Sequence, residues 1–424
     1  MISIQKIRGW GNFPVTKASV LHPSSVEELL QMVAEYPSLL ARGNGRSYGD
    51  SSLHDTVIDM RGLNRILSET SDTIEVEAGV TLEQILQHIV PKKRFLAVTP
   101  GIKSITIGGA VASDVHGKNH LHEGSFYNIT DALQIIDEQG RLIQCSRTEN
   151  ASMFYNAFGS MGLQCIIVSA TIQLVEIESV WIKEQQVHVK SLEDLFEKMD
   201  NHIQSPYLVA WLNLMERETE GIVKLGRWAA ANEVLDGRSL FQLPKNSLLS
   251  VPFRFPIAMP AFLFRWYNRF YLAKAKKNPD HLIHYDQYFY PLDAIKNWNH
   301  VYGPNGMLQY HFALPLNESK IGLKKAIDLI QQSKATCTLA VIKRFGKPNA
   351  ETPQSFPIEG LNLALDFINI KQAQLLIKQL DTLVASLNGR IYKTKDALSS
   401  LPSAEKNGKF QSLQNKRYGT KNDQ

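Results

Sequence analysis

Cysteine is scarce: Cys145, Cys165 and Cys337 are the three in 424 residues. An odd, widely spaced set without a Cys-x-x-Cys pair argues against a disulfide scaffold or a zinc site and for a reducing compartment. Net charge is also small, +5 from 46 basic and 41 acidic residues. With no basic block ahead of the C-terminal tail, composition makes no case for nucleic acid. Long apolar runs are missing too, none reaching the ~20 residues needed to span a bilayer. The opening MISIQKIRGWGNFP has neither an apolar h-region nor a small-residue cleavage site, so no signal peptide is read. The expectation is a cytoplasmic protein, soluble or peripheral at the inner face of the plasma membrane. The length allows two domains, since single cores stop growing near ~250–300 residues.

What is present concentrates between Val98 and Phe126, VTPGIKSITIGGAVASDVHGKNHLHEGSF. Gly108 and Gly109 follow Thr106 and Ile107, where backbone N–H groups can approach a ligand that a Cβ would block. Asp114, His116, Lys118, His120 and His122 then form a polar cluster that cannot be core. The glycines are expected to hold a large cofactor, and Asp114 to His122 to line the place of chemistry.

Around this stretch the pattern alternates helices and strands. Ser25 and Glu28 have capping-box spacing before an amphipathic run to Tyr36, as do Thr81 and Gln84 before Leu82, Ile85, Leu86 and Ile89. Between them, RGNGRSYGD lies between an apolar strand and a second strand at Thr56–Met60. A dinucleotide fingerprint requires a helix there, so the loop reads as an anion nest of successive N–H groups, with Arg42 or Arg46 available for a bidentate phosphate contact. Thr73–Ala78, Ile129–Asp137, Leu142–Cys145 and Cys165–Val175 read as strands. From Val180 the composition shifts, and the order of strands and helices to Asn388-Gly389 suggests an antiparallel sheet with helices on one face. Ser247–Ala275 is aromatic and apolar, with three prolines and three arginines. It reads either as loop and helix over the core, or as a lid or membrane-surface contact. No internal repeat emerges, and the lysine-rich tail from Ser399 is left unassigned.

The RGNGRSYGD loop, the TIGGAVASDVHGKNHLHEGSF stretch and a later YKTKD resemble the vanillyl-alcohol oxidase type of FAD-linked oxidoreductase over nearly the whole chain. Within that family the chain is most similar to members that oxidise a sugar hydroxyl on a polyprenyl phosphate, the first half of an epimerisation supplying a cell-wall precursor. The resemblance implies an α+β, two-subdomain FAD-binding fold with an inserted substrate domain built on an antiparallel sheet. It divides the chain as 1–179 (FAD-binding), 180–389 (substrate-binding) and 390–424 (return to the FAD-binding domain). It assigns the cofactor to Arg42, Gly43, Asn44, Gly45, Arg46, Ser47 and Tyr48, to Gly101, Ser104, Ile105, Thr106, Ile107, Gly108 and Gly109, and to Ile167 and Tyr392. Flavin-linked relatives often carry a histidine in the first glycine loop; Arg46 and Ser47 stand there, so non-covalent FAD is expected. Lys395 and His116 are implied as catalytic, and Lys118, Gln309, His311, Lys343 and Asn362 as substrate-binding. The reaction implied is hydride transfer from a secondary carbinol carbon to flavin N5.

Two positions depart from the family pattern, His311 for a glutamine and Ala364 for a frequent cysteine. Gln309 and His311 share a strand face by alternation, so both enter the site or neither does. His116, His120 and His122 lack a carboxylate partner for a metal. Implied partners are a lipid-linked sugar or small polyol, a short-chain dehydrogenase completing the epimerisation, and a peripheral membrane contact. Two other readings are a soluble aldonolactone or alditol oxidase using dioxygen, and a flavin-binding protein without turnover.

Overall fold

The computed structural model describes residues 2–235, 237–244 and 249–399. The lysine-rich tail and the first two residues of the Ser247–Ala275 stretch lie outside them. Among the described residues no helix is long and apolar enough to cross a membrane.

The N-terminal part holds two sheets. In the first, β1 (Ile2–Arg8) runs antiparallel to β2 (Val15–Leu21), while β3 (Leu40–Arg42) and β4 (Thr56–Asp59) run parallel to each other and β4 lies parallel to β2. The helix α1 (Val26–Glu35) connects β2 to β3. Its capping box is only half closed. Ser25 Oγ accepts from the Glu28 N–H, but the Glu28 carboxylate turns to the Ser24 N–H and hydroxyl at 2.8 and 2.9 Å. The second sheet comprises β5 (Ile66–Glu69), β6 (Thr73–Glu77), β7 (Thr130–Ile136), β8 (Leu142–Ser146) and β9 (Ile166–Gln173). Its order is β5-β6-β9-β7-β8, antiparallel throughout. Here α2 (Leu82–Ile89) has the full reciprocal cap between Thr81 and Gln84 and buries Leu82, Ile85, Leu86 and Ile89. The short α3 (Ile107–Ala112), capped by Thr106, packs on β9.

The third sheet has eight antiparallel strands: β10 (Trp181–Val189), β11 (Tyr207–Asn213), β12 (Glu220–Trp228), β13 (Asp280–His284), β14 (Met307–Pro315), β15 (Cys337–Phe345), β16 (Gly360–Ile368) and β17 (Arg390–Ile391). They lie in the order β13-β10-β12-β11-β15-β16-β14-β17. Four helices flank this sheet: α4 (Leu192–Asn201), α5 (Ala261–Lys277), α6 (Leu316–Gln332) and α7 (Lys371–Ser386). Side-chain alternation sorts the two faces. Leu308, Tyr310, Phe312, Leu363, Leu365 and Phe367 point into a core with α4, α6 and α7. The opposite face carries Trp211, Leu339 and Val341 beneath α5, and then Gln309, His311 and Lys343. The described part of the Ser247–Ala275 stretch, from Leu249, is an extended segment with prolines 252, 256 and 260, followed by one continuous helix. After Asn388 (φ 51°) and a Gly389 N–H bond to Val384 O close α7, the chain adds β17 to the sheet and returns to the first glycine loop. There the Tyr48 N–H donates to Thr394 O and Ser51 Oγ to Lys393 O, both at 2.8 Å.

Candidate active site

A cavity of 480 Å³ lies between the glycine loops and the open face of the eight-stranded sheet. One end is built by backbone. Gly43 packs on Thr106 so closely that any Cβ would overlap the Thr106 hydroxyl, and Gly45 (φ +59°) turns the loop in a conformation other residues resist. Asn44 Nδ2 donates to Ser104 O at 2.9 Å, tying the two loops together. Arg42 has its guanidinium committed to the fold, bonding Ser52 O, Ser52 Oγ and Arg8 O at 2.9, 2.8 and 2.7 Å. Of the two arginines offered for a phosphate contact, that leaves Arg46. It lies 4.2 Å over the Trp10 ring, and among the described residues its Nε has no hydrogen-bond partner.

The second glycine loop contributes unevenly. Gly101, Gly108 and Gly109 all border the cavity, Gly101 on open space and Gly108 packed at the same time against Ala78. Ile105 and Thr106 reach the wall together with Ile167 and Tyr392. Ile107 points into the core instead, and Ser104 contributes its carbonyl to Asn44.

At the other end, charge replaces glycine. Lys118, Lys224, Lys343 and Lys395 line the cavity, enclosed by protein except where they meet its interior. Burial takes the Lys118 ammonium down to about 7 and Lys343 to about 8, and lowers Lys395 as well. Lys118 donates to Tyr288 O and sits 3.9 Å over that ring; Lys395 sits 3.9 Å over Tyr48. Lys224 pairs with Glu184 at 3.2 Å. Gln309 and His311 both enter the cavity, as alternation requires. Gln309 donates to Asp366, whose second oxygen has no partner among the described residues. Burial raises the Asp366 carboxyl, while the nearby Lys395 opposes that rise.

Of the polar cluster Asp114 to His122, only part faces the cavity: Val115, His116, Gly117 and Lys118. Asp114 is a structural staple behind it, in a left-handed backbone conformation (φ 39°). It accepts from Ser125 Oγ at 2.7 Å, from the Tyr127 N–H at 2.9 Å and from Ser355 Oγ. His120 is buried against Phe345 and accepts from the Gly346 N–H, and His122 sits beside Ile203 O. Among the described residues no group of three metal-ligating side chains forms. His116 stands 5.7 Å from His311 and 5.4 Å from Tyr392, ring centre to ring centre. Burial, with Lys343 and His311 adding to it, holds His116 far below its usual range, so it is neutral. Its Nδ1 has no partner among the described residues. Asn362 lies behind the wall, bonding His311 Nε2 at 3.0 Å and Lys343 O at 3.1 Å; it orients two wall residues from outside the cavity.

Sequence reading passes over Asp366, Lys224, Tyr267 and Tyr271. Asp366 has a signal in its strand parity with Asn362 and Ala364. Lys224 has none beyond an isolated charge in an apolar strand.

Residues 18–146 match a family described as an FAD binding domain. The chain is 32% identical to decaprenylphosphoryl-beta-D-ribose oxidase of Mycolicibacterium smegmatis, over 93% of this chain and 89% of the relative. It is 23% identical to L-gulonolactone oxidase of Bos taurus, over 47% of this chain and 46% of that one. The D-arabinono-1,4-lactone oxidase of Yarrowia lipolytica is 25% identical, over 47% and 40%. FAD suits the glycine-walled end: loops stripped of side chains admit a dinucleotide, and the unpartnered Arg46 nitrogen is a donor of the kind a pyrophosphate needs. The chain belongs to the vanillyl-alcohol oxidase-type family of FAD-dependent oxidoreductases.

Proposed function

We propose that this enzyme oxidises the 2′-hydroxyl of a ribose-like sugar carried on a polyprenyl phosphate, the first half of an epimerisation that a short-chain dehydrogenase partner completes. The observation that carries the reading is the ring of buried lysines facing the sheet side of the cavity. Lys118 and Lys343 hold amines away from bulk water with no carboxylate in ion-pair distance among the described residues, an arrangement that costs stability unless an anion binds there, while Lys224 beside them is already paired with Glu184. A phosphodiester supplies that anion, whereas a neutral lactone or alditol does not. In this reading the N-terminal sheets and the returning C-terminal stretch form the cofactor subdomains, and the eight-stranded sheet is the inserted substrate domain.

Bound FAD supplies a two-electron acceptor for the hydride leaving the carbinol carbon. Arg46, Ser47, Gly101, Thr106 and Gly109 line its half of the cavity, with Ile167 and Tyr392 closing it. Arg42, Gly43, Asn44 and Gly45 fix the loop that makes that lining possible. No histidine or cysteine occurs in the first glycine loop, so the cofactor is held without a covalent bond. Acid precipitation should release the yellow colour to the supernatant; colour in the pellet refutes this. Neutral His116, whose Nδ1 has no partner among the described residues, takes the hydroxyl proton as the carbinol becomes a ketone. Lys395 would place a positive charge beside the bound cofactor, in a site where low dielectric strengthens it. Gln309 and His311 bind the sugar hydroxyls, with Asn362 holding the His311 ring.

The deciding experiment is anaerobic flavin bleaching. Polyprenyl-phosphoryl ribose should bleach the enzyme rapidly, and free lactones and alditols should not. Bleaching by lactones with reoxidation by dioxygen would instead support the second reading, a lactone oxidase, which the lactone-oxidase relatives favour.

A further inference from the structure

Helix α5 is apolar on two opposite faces. Phe264, Leu272 and Ala275, with Asn268, are buried against the eight-stranded sheet. Phe262, Trp266 and Phe270 recur every four residues on the other side, 65%, 66% and 56% exposed, with Trp266 and Phe270 stacked at 5.9 Å. At ~3.6 residues per turn that ridge lies roughly opposite the buried side. A helix with a second apolar ridge leaves that ridge in water unless something covers it, and the protein covers only the first. The chain leading into it exposes Phe253 and Ile257 by 64% and 69%.

Charge identifies what covers the ridge. Residues 249–277 contain Arg254, Arg265, Arg269, Lys274, Lys276 and Lys277 and no acidic residue. Arg269 is paired to Glu216 at 3.0 Å and Lys276 to Glu220 at 3.3 Å. Among the described residues Arg265, Lys274 and Lys277 have no carboxylate within ion-pair distance. Aromatic side chains interleaved with free cations match the headgroup and upper acyl zone of an anionic bilayer. The core of a protein–protein interface, by contrast, is depleted of lysine.

We propose that α5 docks the enzyme on an anionic lipid surface, with Phe262, Trp266 and Phe270 inserted and Arg265, Lys274 and Lys277 at the headgroups. The helix is also a wall of the active-site cavity. Tyr267 and Tyr271, stacked at 6.3 Å, line the cavity on its flank, and Lys224 lies 5.3 Å from the Tyr271 ring. A lipid-linked substrate can thus pass its headgroup inward along the tyrosines while its tail stays in the membrane. That purpose rests on the substrate class proposed above; the docking itself does not.

The test is flotation of the holoenzyme with phosphatidylcholine vesicles, with and without phosphatidylglycerol, at low and high salt. Binding should require phosphatidylglycerol and weaken with salt. The triple variant Phe262→Ser/Trp266→Ser/Phe270→Ser should lower partitioning by roughly tenfold or more while keeping its flavin. Absence of binding to anionic vesicles, or equal binding by the triple variant, overturns the proposal. So does a wild-type dimer that ignores vesicles and becomes a monomer in the variant. Vesicle binding without bleaching by polyprenyl-phosphoryl ribose leaves the docking surface supported and refutes the substrate reading. Bleaching by a protein that does not bind vesicles refutes the docking surface alone.

Discussion

The two ends of the cavity are made by opposite means. The glycine end gains its shape by removing side chains and fixing backbone, with Gly43 against Thr106, Asn44 bonded to Ser104 O and Arg42 spent on Ser52 and Arg8. The sheet end gains its chemistry by adding side chains that are uncomfortable when empty: Lys118, Lys343 and Lys395, two histidines that burial keeps neutral, and the Asp366 carboxylate, one of whose oxygens has no partner among the described residues. Added bulk should therefore destroy the first end, while the second should tolerate substitution structurally and lose function.

The largest effect is expected at Gly49, where a Cβ would overlap the Asp396 carbonyl oxygen. Backbone cannot move aside as a side-chain tip can, so Gly49→Ala should cost about 3 kcal/mol or more and abolish flavin retention, read as absorbance per mole of protein. A variant with normal flavin content would show that the loop is softer than its contacts imply. Next, Lys395→Ala should keep FAD and slow anaerobic bleaching by about 10²–10³, the usual cost of losing one preorganised electrostatic partner. Unchanged bleaching removes that lysine from the mechanism.

Asp366→Asn should act more subtly. Burial is the main influence lowering the Lys395 ammonium, and the Asp366 carboxylate opposes it. Removing that charge should move the alkaline limb of the bleaching rate to lower pH by about one unit, with little change at the acidic plateau. An unshifted limb would mean that Asp366 only orients Gln309.

The smallest effect concerns stability of the flavin-free protein. Lys343 has a folded-state value of about 8 against an ordinary 10.5. The folded chain thus binds fewer protons than the unfolded one between those values, and stability rises with pH across that window. Lys118, lowered to about 7, acts in the same direction from a lower starting point. Melting temperature should rise from pH 7 to 9.5, and Lys343→Met should flatten the rise. A fall over that range in both proteins would contradict the burial of these amines.

Much of the fold is legible in the sequence wherever burial imposes a period. The Thr81–Gln84 box marks its helix because capping is a local reaction among four residues. Strand parity places Gln309 and His311 in the cavity together. By contrast β1 misleads such reading: Ile2 and Ile4 alternate with Ser3 and Gln5, yet both isoleucines are exposed, so the alternation marks no buried face. Asn362 shows the other limit. It shares parity with the cavity-lining Ala364, yet hydrogen bonds to His311 and Lys343 O hold it behind the wall, and no periodicity encodes that depth. Likewise Asp114 reads as part of the chemistry from its histidine neighbours, whereas its three hydrogen bonds make it the anchor of their loop. The double-faced α5 hides behind three prolines that all precede it.

The bond from Ser51 Oγ to Lys393 O joins residues 342 positions apart. At ~5–20 residues per second, a ribosome takes on the order of 17–70 s to cover that interval. For all of that time the first glycine loop exists without the backbone that pins it. A nascent or truncated chain ending before Lys393 lacks the Tyr48–Thr394 and Ser51–Lys393 bonds and Lys395, so the first glycine loop gains its last backbone ties only when synthesis is nearly complete.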